Sequence, residues 1–559
     1  MNISKSTLKN WKRLNSDSAA KLRSGANKSS SKKRIYPVEY IRNSASLTLA
    51  RHVVSVCGKM NIARENAVFT LAVKYLDYCG ILQKKSVQTV LSEYDFSVCE
   101  AFDDIVFPQD EFDILGFIYQ CLLSEGEKNA SGAYYTAPDI VLSMMEKSDF
   151  SQVNSFFDPC CGSGAFLLAF PAADPNMLRG CDRDPLAVLI AKVNLLCKYR
   201  EFDFIPNIFC CDYLISTRSC GLPGKFDLIV TNPPWGAVKS GTKKSEDSFS
   251  LFFRKAVREL SPGGRVDFLL PESVLHVKTH SSLRRFMAEE CTIEMVRRHP
   301  GNFTGVMTGY VDITVSNRKQ NGSFLFCDGS SGRLIPHDEL KKSRNYEFNF
   351  VGAQDKLIID KMKQAGKYDL SRSIFALGIV TGDNKNKVKT EQLPGMEPVF
   401  TGKDVTAYRM KEPSHFLEFA PQNFQQCASE EVYRSKEKLI YRFVSKNLLF
   451  ALDTSGTLSL NSANILIPDI PGMSTATVMA FLNSAVLNFY YNCISHDLKV
   501  LKSRLIQLPF PEISPEQDRH ISDLTASVTA QSNTELQKLT ASCYGLSDSE
   551  LEYITGATI

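Results

Sequence analysis

The stretch SFFDPCCGSGAFLLAF, residues 155–170, has the pattern of a strand, a tight turn and a helix in succession. An apolar run ends at Asp158, and Pro159 stops it because proline has no N–H for a sheet ladder. Glycines at a strand-to-helix turn, here the Gly-Ser-Gly of residues 162–164, let the backbone approach a ligand closely. The stretch therefore predicts the first unit of a ligand-binding α/β domain.

The sequence on either side extends this pattern. Short β-like runs (SFFD, MLRGCD, FDLIV, RVDFLLP and YVDITVS) alternate with helical segments such as SFSLFFRKAVREL. That alternation predicts a doubly wound, Rossmann-like α/β sheet. A helical region precedes it, and an α+β domain rich in strands, loops and basic residues follows. The predicted divisions are a basic arm (1–39), a helical region (40–125), the α/β domain (126–325), a connector (326–370), the α+β domain (371–515) and a C-terminal helical segment (516–559).

Length and composition set the broad class. The 559 residues exceed what one hydrophobic core holds, so several domains are expected. No apolar run reaches the roughly 18 residues needed to cross a bilayer, and the N-terminus lacks the apolar core of a signal peptide. A cytoplasmic protein with no membrane partner is therefore predicted. None of the 16 cysteines stands in a C-x-x-C pair, which favours reduced thiols over zinc or disulfides and predicts no metal.

The charge is concentrated at the N-terminus. Residues 1–34 hold ten Lys and Arg against one acidic residue, Asp17. A basic arm of this kind suits a polyanion, although a solvated tail explains it equally well. The segment ISKSTLKNWKRL within the arm is also compatible with a small DNA-reading helix-turn-helix.

Acidic residues close three of the predicted strands. Asp158 ends the first strand, Asp182 in LRGCDRDP lies twenty residues beyond Gly162, and Asp212 is followed by Tyr213 in IFCCDYL. Such carboxylates can accept ribose hydroxyls or an adenine amino group, although an acidic residue after a strand is also a common helix cap. The glycine spacing is not G-x-G-x-x-G and no Lys-Ser/Thr follows. The pattern predicts an adenosine pocket without a phosphate clamp.

A fourth strand ends in an unusual way. FDLIVTNPPWG, residues 226–236, places an amide, two prolines and a tryptophan directly behind a buried apolar run. A plain strand-terminating turn is the simplest explanation of Asn-Pro. Next to three acidic strand ends, however, a functional role for this motif is favoured over a plain turn.

Taken together, these segments resemble the S-adenosylmethionine-dependent amino-methyltransferases of DNA. DPCCGSG is similar to their cofactor loop, GCDRDP to the ribose motif, CCDYL to the adenine motif and TNPPW to the catalytic motif. GAYYTAPDIV is similar to the G-x-Y-Y-T-P segment that closes over the methionine half of the cofactor, with Ala137 inserted between Thr136 and Pro138. The motif order is that of the gamma subgroup of adenine-N6 enzymes. Asn at the first catalytic position also resembles that class, whereas Ser or Thr is more usual for cytosine-N4.

The resemblance implies S-adenosylmethionine as the cofactor and a set of site residues. The implied cofactor-binding residues are Tyr135, Thr136, Asp158, Pro159, Cys160, Gly162, Ser163, Gly164, Asp182, Arg183, Asp212 and Tyr213. The implied catalytic residues are Asn232, Pro233, Pro234 and Trp235. Trp235 would stack on an adenine that has left its duplex, and Phe303 would cover the opposite face of that base.

The chemistry explains the motif. An exocyclic adenine amine is a poor nucleophile because its lone pair is delocalised into the ring. If the side-chain oxygen of Asn232 and the carbonyl of Pro233 each accept one amino hydrogen, the nitrogen moves toward sp³ geometry and its lone pair becomes available. Positioning and dipoles then stabilise the developing positive charge, and no strong general base is needed.

The C-terminal third resembles the target-recognition domain of DNA methyltransferases, most closely the TaqI-like specificity type. The segments that carry this similarity are PVFTGKDVTAYRM, KLIYRFVSKNLLFALDTSGTLSLNSANILIP and FLNSAVLNFYYNC. The last of these also has the pattern of an apolar packing helix. The candidate DNA contacts are Lys403, Tyr408, Arg409, Arg434, Lys436, Arg442 and Lys446.

The sequence thus predicts a site-specific, adenine-specific DNA methyltransferase acting on double-stranded DNA. No P-D…E-x-K nuclease pattern precedes residue 130, so a modification enzyme of a restriction–modification or defence system is expected, with a separate restriction or specificity subunit as a further candidate partner. Two alternatives remain open at this point. One is a methyltransferase of RNA or of a protein glutamine, and the other is a non-catalytic nucleic-acid-binding module with the same fold.

Overall fold

The computed structural model forms two compact units, divided between residues 348 and 349. The basic arm, 1–39, and its predicted helix-turn-helix lie almost wholly outside the described residues. The described residues are 34, 36–41, 43–109, 111–131, 136–146, 150–215, 224–236, 247–299, 309–318, 322–329, 331–348, 350–495 and 499–557.

The first unit opens with helices. Its helices are α1 (Ser44–Met60), α2 (Arg64–Tyr78), α3 (Lys85–Leu91), α4 (Ile114–Leu122), α5 (Glu125–Ser131), α6 (Pro138–Met145), α7 (Ala165–Ala169), α8 (Pro185–Lys198), α9 (Ser248–Arg258), α10 (Ser281–Glu290) and α11 (His337–Lys342). Helix α1 begins where the Asn43 side chain accepts from the Ala45 N–H, and it ends at Asn61 in a left-handed conformation. Leu49, Val53 and Cys57 recur at helical spacing on its buried face.

The strands of the first unit form one sheet. They are β1 (Phe156–Asp158), β2 (Leu178–Asp182), β3 (Asn207–Cys210), β4 (Phe226–Thr231), β5 (Leu260–Pro271), β6 (Thr292–Arg298), β7 (Tyr310–Ser316), β8 (Ser323–Asp328) and β9 (Ser331–Pro336). Their order is β3-β2-β1-β4-β5-β7-β6-β8-β9, with β1 to β5 parallel and β7 antiparallel to both its neighbours. The chain reverses direction across the sheet between β1 and β4, which is where open α/β sheets bind ligands.

Both faces of this sheet are covered. On one face Phe156 packs against Phe170, with ring centroids 4.7 Å apart. On the other face Phe157 stacks on Phe226 at 4.4 Å. Neighbouring strand residues point to opposite faces, so consecutive phenylalanines serve two separate layers of helices. The doubly wound α/β class predicted from the sequence is confirmed.

The structure corrects the predicted end of this domain at residue 325. Strand β8 runs through that position, and β9 pairs with it as an antiparallel edge hairpin. Phe324 and Phe326 are buried, whereas Leu325 and Leu334 are exposed. An edge hairpin with apolar residues on both faces has no clear hydrophobic alternation, and residues 326–336 therefore resembled a connector.

The second unit is α+β. Its strands are β10 (Gly366–Tyr368), β11 (Ile374–Ala376), β12 (Glu397–Phe400), β13 (Val405–Thr406), β14 (Arg409–Met410), β15 (His415–Leu417), β16 (Lys438–Arg442), β17 (Phe450–Asp453), β18 (Leu458–Ser459), β19 (Ala463–Ile467) and β20 (Phe510–Pro511). They form sheets of order β11-β19-β16-β17 and β15-β12-β18, and the pairs β10-β20 and β13-β14. The helices are α12 (Ala353–Ala365), α13 (Asn384–Lys387), α14 (Glu430–Arg434), α15 (Thr475–Asn483), α16 (Ala485–Ile494), α17 (Lys502–Leu505), α18 (Pro515–Ala526), α19 (Ala530–Cys543) and α20 (Asp548–Ala557).

The segment FLNSAVLNFYY lies in the core of this unit, as its apolar pattern indicated. It forms the end of α15 and most of α16, and Phe481, Leu487 and Tyr491 in it are fully buried. The two helices meet at Ser484, whose side chain accepts from the Leu487 N–H and so caps α16.

Within the ranges given above, no helix combines the length and the apolar character needed to cross a bilayer. Every cysteine in those ranges is a free thiol. The same residues contain no group of three or more His, Cys, Asp or Glu side chains arranged to hold a metal ion.

Candidate active site

The acidic strand ends and the Asn-Pro-Pro-Trp motif lie along one edge of the first sheet. Strand β1 pairs with β2 on one side and β4 on the other, and β2 pairs with β3. Parallel neighbours end at the same edge, so Asp158, Asp182, Asp212 and Asn232 follow four adjacent strands. Residues separated by up to 74 positions in the chain thus lie along one edge of the sheet, at the position where open α/β sheets form a ligand crevice.

Asp182 fixes the glycine turn that follows β1. Its Oδ2 accepts from the Gly162 N–H at 3.0 Å, and its Oδ1 accepts from the Asp184 N–H at 3.0 Å. Gly162 has φ 52°, a left-handed conformation that favours glycine. Burial raises the pKa of the Asp182 carboxyl above its ordinary value. The carboxylate that the sequence assigned to a ribose therefore also shapes the cofactor loop.

Asp158 ties that loop to the catalytic strand. It is 1% exposed, and its Oδ1 accepts from Oγ1 of Thr231 at 2.6 Å and from the Cys160 N–H at 3.2 Å. Burial raises the pKa of Asp158 to about 7, against the lowering effect of these two hydrogen bonds. Asp158 therefore links β1 to the end of β4 through a buried hydrogen bond.

A second buried carboxylate, that of Asp113, also holds the glycine turn in place. The hydroxyl of Ser163 donates to Asp113, and Nδ2 of Asn194 donates to Asp113 Oδ1 at 2.8 Å and to the Ser163 carbonyl at 3.0 Å. Burial raises the pKa of Asp113 as well. Ser163 was an implied cofactor ligand, but the structure directs its hydroxyl into the protein. Asp113 and Asn194 were missed, because nothing in the local sequence marks them.

The contact between Asp113 and Ser163 leaves no room for a side chain at Gly116. A matched pair of glycine-to-alanine substitutions tests this packing. A Cβ on Gly116 would collide with the Asp113 carboxylate and the Ser163 side chain, whereas a Cβ on Gly58 in α1 would meet nothing within 4 Å. We expect Gly116→Ala to lower the free energy of unfolding by about 1–3 kcal/mol through overpacking. Gly58→Ala should raise it by about 0.5–1 kcal/mol, because alanine favours a helix interior. Urea denaturation measures both, and a stabilised Gly116→Ala would contradict this packing.

Asn232 is held on two sides. Its Nδ2 donates to Oγ1 of Thr136 at 3.1 Å, and its backbone carbonyl oxygen lies 3.4 Å from Sγ of Cys160. The same sulfur is 2.9 Å from Oγ1 of Thr231. Burial raises the pKa of the Cys160 thiol well above its ordinary value, so it stays protonated and can donate. Two segments that the resemblance assigned to the cofactor therefore contact the catalytic asparagine.

The rest of the motif is anchored to helix α9. The hydroxyl of Ser248, the first residue of α9, donates to the carbonyls of Pro234 and Gly236, the latter at 2.8 Å. Trp235 is partly buried against the core that contains α8 and the N-terminal helices. Pro233 is buried. The sequence analysis did not identify Ser248, which fixes the end of the motif.

The structure corrects the role given to Tyr213. Its ring lies between Phe157 and Phe252, with centroids 5.7 and 5.2 Å away, and its hydroxyl donates to Glu259 at 2.6 Å. Tyr213 is 2% exposed and packs beneath α9. A buried ring with partners on both sides cannot cover an adenine. Asp212, partly exposed beside it, is the member of the pair that reaches the edge.

The remaining implied cofactor residues lie as follows. Pro159 is buried, and its carbonyl accepts from the Cys181 thiol at 3.3 Å. Gly164 has φ 93°, and a Cβ there would lie 3.3 Å from Cβ of Ala191 in α8, which makes it a helix-packing glycine. Arg183 is exposed at the end of β2. Tyr135 and Phe303 lie outside the described residues.

The candidate DNA contacts in the second unit separate into two groups. Lys403, Arg409, Lys436 and Lys446 are exposed, and one nitrogen of Arg409 also donates to the Val528 carbonyl at 2.6 Å. Arg434 instead forms a two-pronged ion pair with Glu397, at 2.7 and 2.9 Å. Arg442 donates to two backbone carbonyls, those of Gly402 at 2.6 Å and Val405 at 2.9 Å.

These contacts correct the interpretation of Arg434 and Arg442 as DNA ligands, because both guanidinium groups are used within the fold. Tyr408 is partly buried, with φ 67°. The four exposed cations remain predictions.

The side chains at this edge of the sheet suit a particular class of cofactor. Strands β1 and β2 end in Asp158 and Asp182, and Asp212 lies two residues beyond β3. Carboxylates accept hydroxyl and amino hydrogens and repel phosphate. A ribose, an adenine amino group and a positively charged sulfonium or ammonium suit such a crevice. The observed residues therefore fit S-adenosylmethionine.

Two family models match the chain. Residues 110–349 match the model described as N-6 DNA Methylase, and residues 397–510 match the TaqI-like C-terminal specificity domain. The first match covers the part of the first unit that contains the sheet edge described above, and it does not include the helices before residue 110. The second covers most of the predicted target-recognition domain.

Curated relatives agree with these models. The Type II methyltransferase M.VspI of Vibrio sp. (strain 343) is 27% identical over 350 residues, which are 58% of this chain and 83% of that protein. The Type I restriction enzyme EcoEI methylase subunit of Escherichia coli is 25% identical over 276 residues, 44% of this chain and 53% of that one. The chain thus matches about half the length of the second relative.

A solved structure has a similar fold. The Type IIL restriction-modification enzyme MmeI, in complex with DNA, aligns over 92% of this chain and 96% of that chain with a TM-score of 0.57. Its sequence identity is 12%, so the likeness concerns the arrangement of the chain.

Proposed function

We propose that this chain, an adenine-N6 DNA methyltransferase of restriction–modification type with a TaqI-like specificity domain, methylates adenines at specific sites in duplex DNA. S-adenosylmethionine is the methyl donor. The observation that carries the proposal is the position of Asn232–Trp235 at the end of β4, directly beside the carboxylate-bearing ends of β1, β2 and β3. The catalytic motif and the proposed cofactor site thus lie on the same edge of the sheet.

The proposed roles of the chain's own residues follow from their placement. Asn232 and Pro233 accept the two hydrogens of the adenine amine through the carboxamide oxygen and the backbone carbonyl, which localises the lone pair on nitrogen. Trp235 stacks on the extruded base. Asp182 and Asp212 hold the ribose hydroxyls and the adenine of the cofactor.

S-adenosylmethionine supplies an electrophilic methyl group on a sulfonium. Methyl transfer to the amine that Asn232 and Pro233 orient would leave the cofactor as a neutral thioether, and the amine would release one proton to water. The fixed dipoles of Asn232 and Pro233 stabilise the positive charge on nitrogen before that proton leaves. Anchoring of the motif by Ser248 keeps these dipoles in place.

The two alternatives left open by the sequence receive no support. Both matched families are described in terms of DNA methylation or its specificity, which disfavours RNA and protein glutamine as acceptors. The motif residues and acidic strand ends all come together in one crevice, which disfavours a module without turnover. We propose a cytoplasmic location, and a separate restriction or specificity subunit as a further partner.

Mapping of modified bases tests the function. DNA from a methylation-deficient host that expresses the full chain should carry N6-methyladenine at one short sequence motif when read by single-molecule sequencing. The Asn232→Ala variant, expressed to the same level, should leave that motif unmodified. Methyl label that enters only RNA or protein in the same cells would refute the proposal.

Cofactor affinity should depend on pH through Asp158. Its pKa of about 7 means that the carboxyl is mostly ionised at pH 8 and mostly protonated at pH 6. An ionised carboxylate attracts a cationic cofactor, so the Kd for S-adenosylmethionine should rise by up to about tenfold from pH 8 to pH 6. Isothermal titration calorimetry at both pH values measures this Kd.

Asp158→Asn is the matched control, since its amide oxygen can still accept from Thr231 and from the Cys160 N–H. This variant removes the titrating group, and its change in Kd between the two pH values gives the contribution of the cofactor's own ionisation and of the other carboxyl groups at the site, including Asp182. An equal pH dependence in the variant and the wild type would contradict the role given to Asp158.

A further inference from the structure

The side chain of Asn232 is held by a residue from a distant segment. Nδ2 of Asn232 donates to Oγ1 of Thr136 at 3.1 Å, across 96 positions of sequence. Thr136 is 6% exposed and lies two residues before Pro138, where α6 begins. The resemblance assigned Thr136 to the methionine half of the cofactor. In the structure, its hydroxyl oxygen instead contacts the catalytic carboxamide.

The orientation of that carboxamide matters chemically. Rotation by 180° about its last torsion exchanges the oxygen, which accepts hydrogen bonds, with the NH2 group, which donates them. With the oxygen toward the target amine, Asn232 accepts an amino hydrogen and makes the lone pair available. With the NH2 group toward the amine, Asn232 would donate to that lone pair and oppose methyl transfer. The reaction therefore needs one of the two orientations.

The backbone of Asn232 is already fixed by other contacts. Its carbonyl oxygen lies 3.4 Å from Sγ of Cys160, and Thr231 before it donates to Asp158 at 2.6 Å. Pro233 after it restricts the chain further. With the backbone fixed, rotation of the side chain is the remaining freedom, and the contact with Thr136 restricts it.

We infer that Thr136 is a positioning residue for methyl transfer, whose hydroxyl oxygen accepts from Nδ2 of Asn232 and directs the carboxamide oxygen toward the target amine. This inference rests on the proposed function. It gives Thr136 a role in the chemical step that differs from a contact with the cofactor, and the two roles predict different kinetics.

A pair of substitutions distinguishes the positioning role of Thr136 from a contact with the cofactor. Thr136→Val keeps the shape and removes the hydroxyl, and Thr136→Ser keeps the hydroxyl. At saturating S-adenosylmethionine we expect Thr136→Val to lower kcat about 10- to 100-fold, because a misplaced catalytic group is costly even when substrate binds. The Kd for the cofactor, measured by calorimetry, should stay unchanged, and Thr136→Ser should recover most of kcat.

Thr70→Val is the matched control for loss of a buried threonine hydroxyl. Thr70 is fully buried in α2, where its hydroxyl donates to the Asn66 carbonyl at 2.7 Å. This variant should lose stability and keep the wild-type kcat. A kcat loss in Thr70→Val equal to that in Thr136→Val would assign the effect to stability and overturn the inference.

A binding measurement gives a readout independent of turnover. With S-adenosylhomocysteine present, the full chain should bind a duplex with adenine at the mapped target position more tightly than one with purine, which lacks the amino group. Thr136→Val should reduce that preference, and Thr136→Ser should retain it. A raised cofactor Kd in Thr136→Val, with unchanged kcat and unchanged preference, would assign Thr136 to the cofactor alone and overturn the inference. A wild type that methylates no adenine would overturn the proposed function, and this inference with it.

Discussion

Replacing Asn232 with alanine should lower kcat for methyl transfer by at least about 10²- to 10³-fold, the usual cost of removing one preorganised dipole from a transition state. Without the carboxamide oxygen, one amino hydrogen of the target adenine has no acceptor, and the lone pair stays delocalised into the ring. Transfer of labelled methyl groups to duplex DNA under single-turnover conditions measures this change. It is the largest effect on activity that we expect from any single substitution.

Cofactor binding should survive the same substitution. Asn232 directly follows β4, whereas the carboxylates proposed to hold the cofactor stand at the ends of β2 and β3. The Asn232→Ala variant should therefore bind S-adenosylmethionine with near wild-type affinity. Wild-type turnover in this variant would contradict the mechanism, and loss of cofactor binding together with turnover would indicate that Asn232 supports the fold instead.

Replacing Arg297 with methionine should produce the largest loss of stability. Arg297 on β6 pairs with Asp312 on β7 through contacts of 2.9, 3.2 and 3.0 Å, and both side chains are buried. Removing one member of a buried pair leaves an uncompensated charge, which costs about 3–5 kcal/mol. Arg297 also donates to the Ser143 carbonyl at 3.0 Å, so the substitution should loosen α6 over the sheet.

The charged groups around Arg297 and Asp312 explain why the loss of Arg297 should cost so much stability. Burial, together with the charge of Asp312, raises the pKa of Asp267 on the neighbouring β5 to about 8, so Asp267 is mostly neutral at pH 7. Arg297 therefore compensates chiefly for Asp312. His299, whose ring stacks on Tyr310 at 5.0 Å, also contacts Asp312.

Two further variants complete this test. The double variant Arg297→Met with Asp312→Leu removes both charges and should recover much of the lost stability. Arg285→Met breaks an exposed pair with Glu289 on α10 and should leave the denaturation midpoint unchanged. Urea denaturation of the full chains measures all three. An Arg297→Met variant as stable as Arg285→Met would show that the buried pair contributes little.

The strand ends were predictable because each is a local pattern. An apolar run that stops at an acidic residue or at Asn-Pro-Pro marks the end of a strand, and parallel strands bring their ends to one edge. Asp158, Asp182, Asp212 and Asn232 could therefore be grouped from sequence alone. The fold class followed from the same alternation of strands and helices.

The contacts that hold the edge together were not predictable in this way. Thr136 meets Asn232 across 96 positions, Thr231 meets Asp158 across 73, and Ser163 meets Asp113 across 50. None of these pairs belongs to a repeating pattern, because each depends on where two separate elements pack. Sequence reasoning could identify the residues at the strand ends and could not identify the pairs of residues that contact one another across the fold.

Two errors have simpler causes. Adjacent residues near a strand end point to opposite faces, so Asp212 at the edge requires Tyr213 on the other side, where it packs under α9. The cations Arg434 and Arg442 carry the right charge for DNA, but composition does not reveal an intramolecular acceptor such as Glu397. In both cases residue type was taken as evidence of exposure.

The identity of the methylated nucleoside tests the central claim most directly. Duplex DNA containing the mapped motif is incubated with the full chain and S-adenosylmethionine, digested to nucleosides and analysed by mass spectrometry. The account predicts N6-methyldeoxyadenosine with the wild type and none with Asn232→Ala. N4-methyldeoxycytidine as the product, or equal amounts of N6-methyldeoxyadenosine from both proteins, would contradict it.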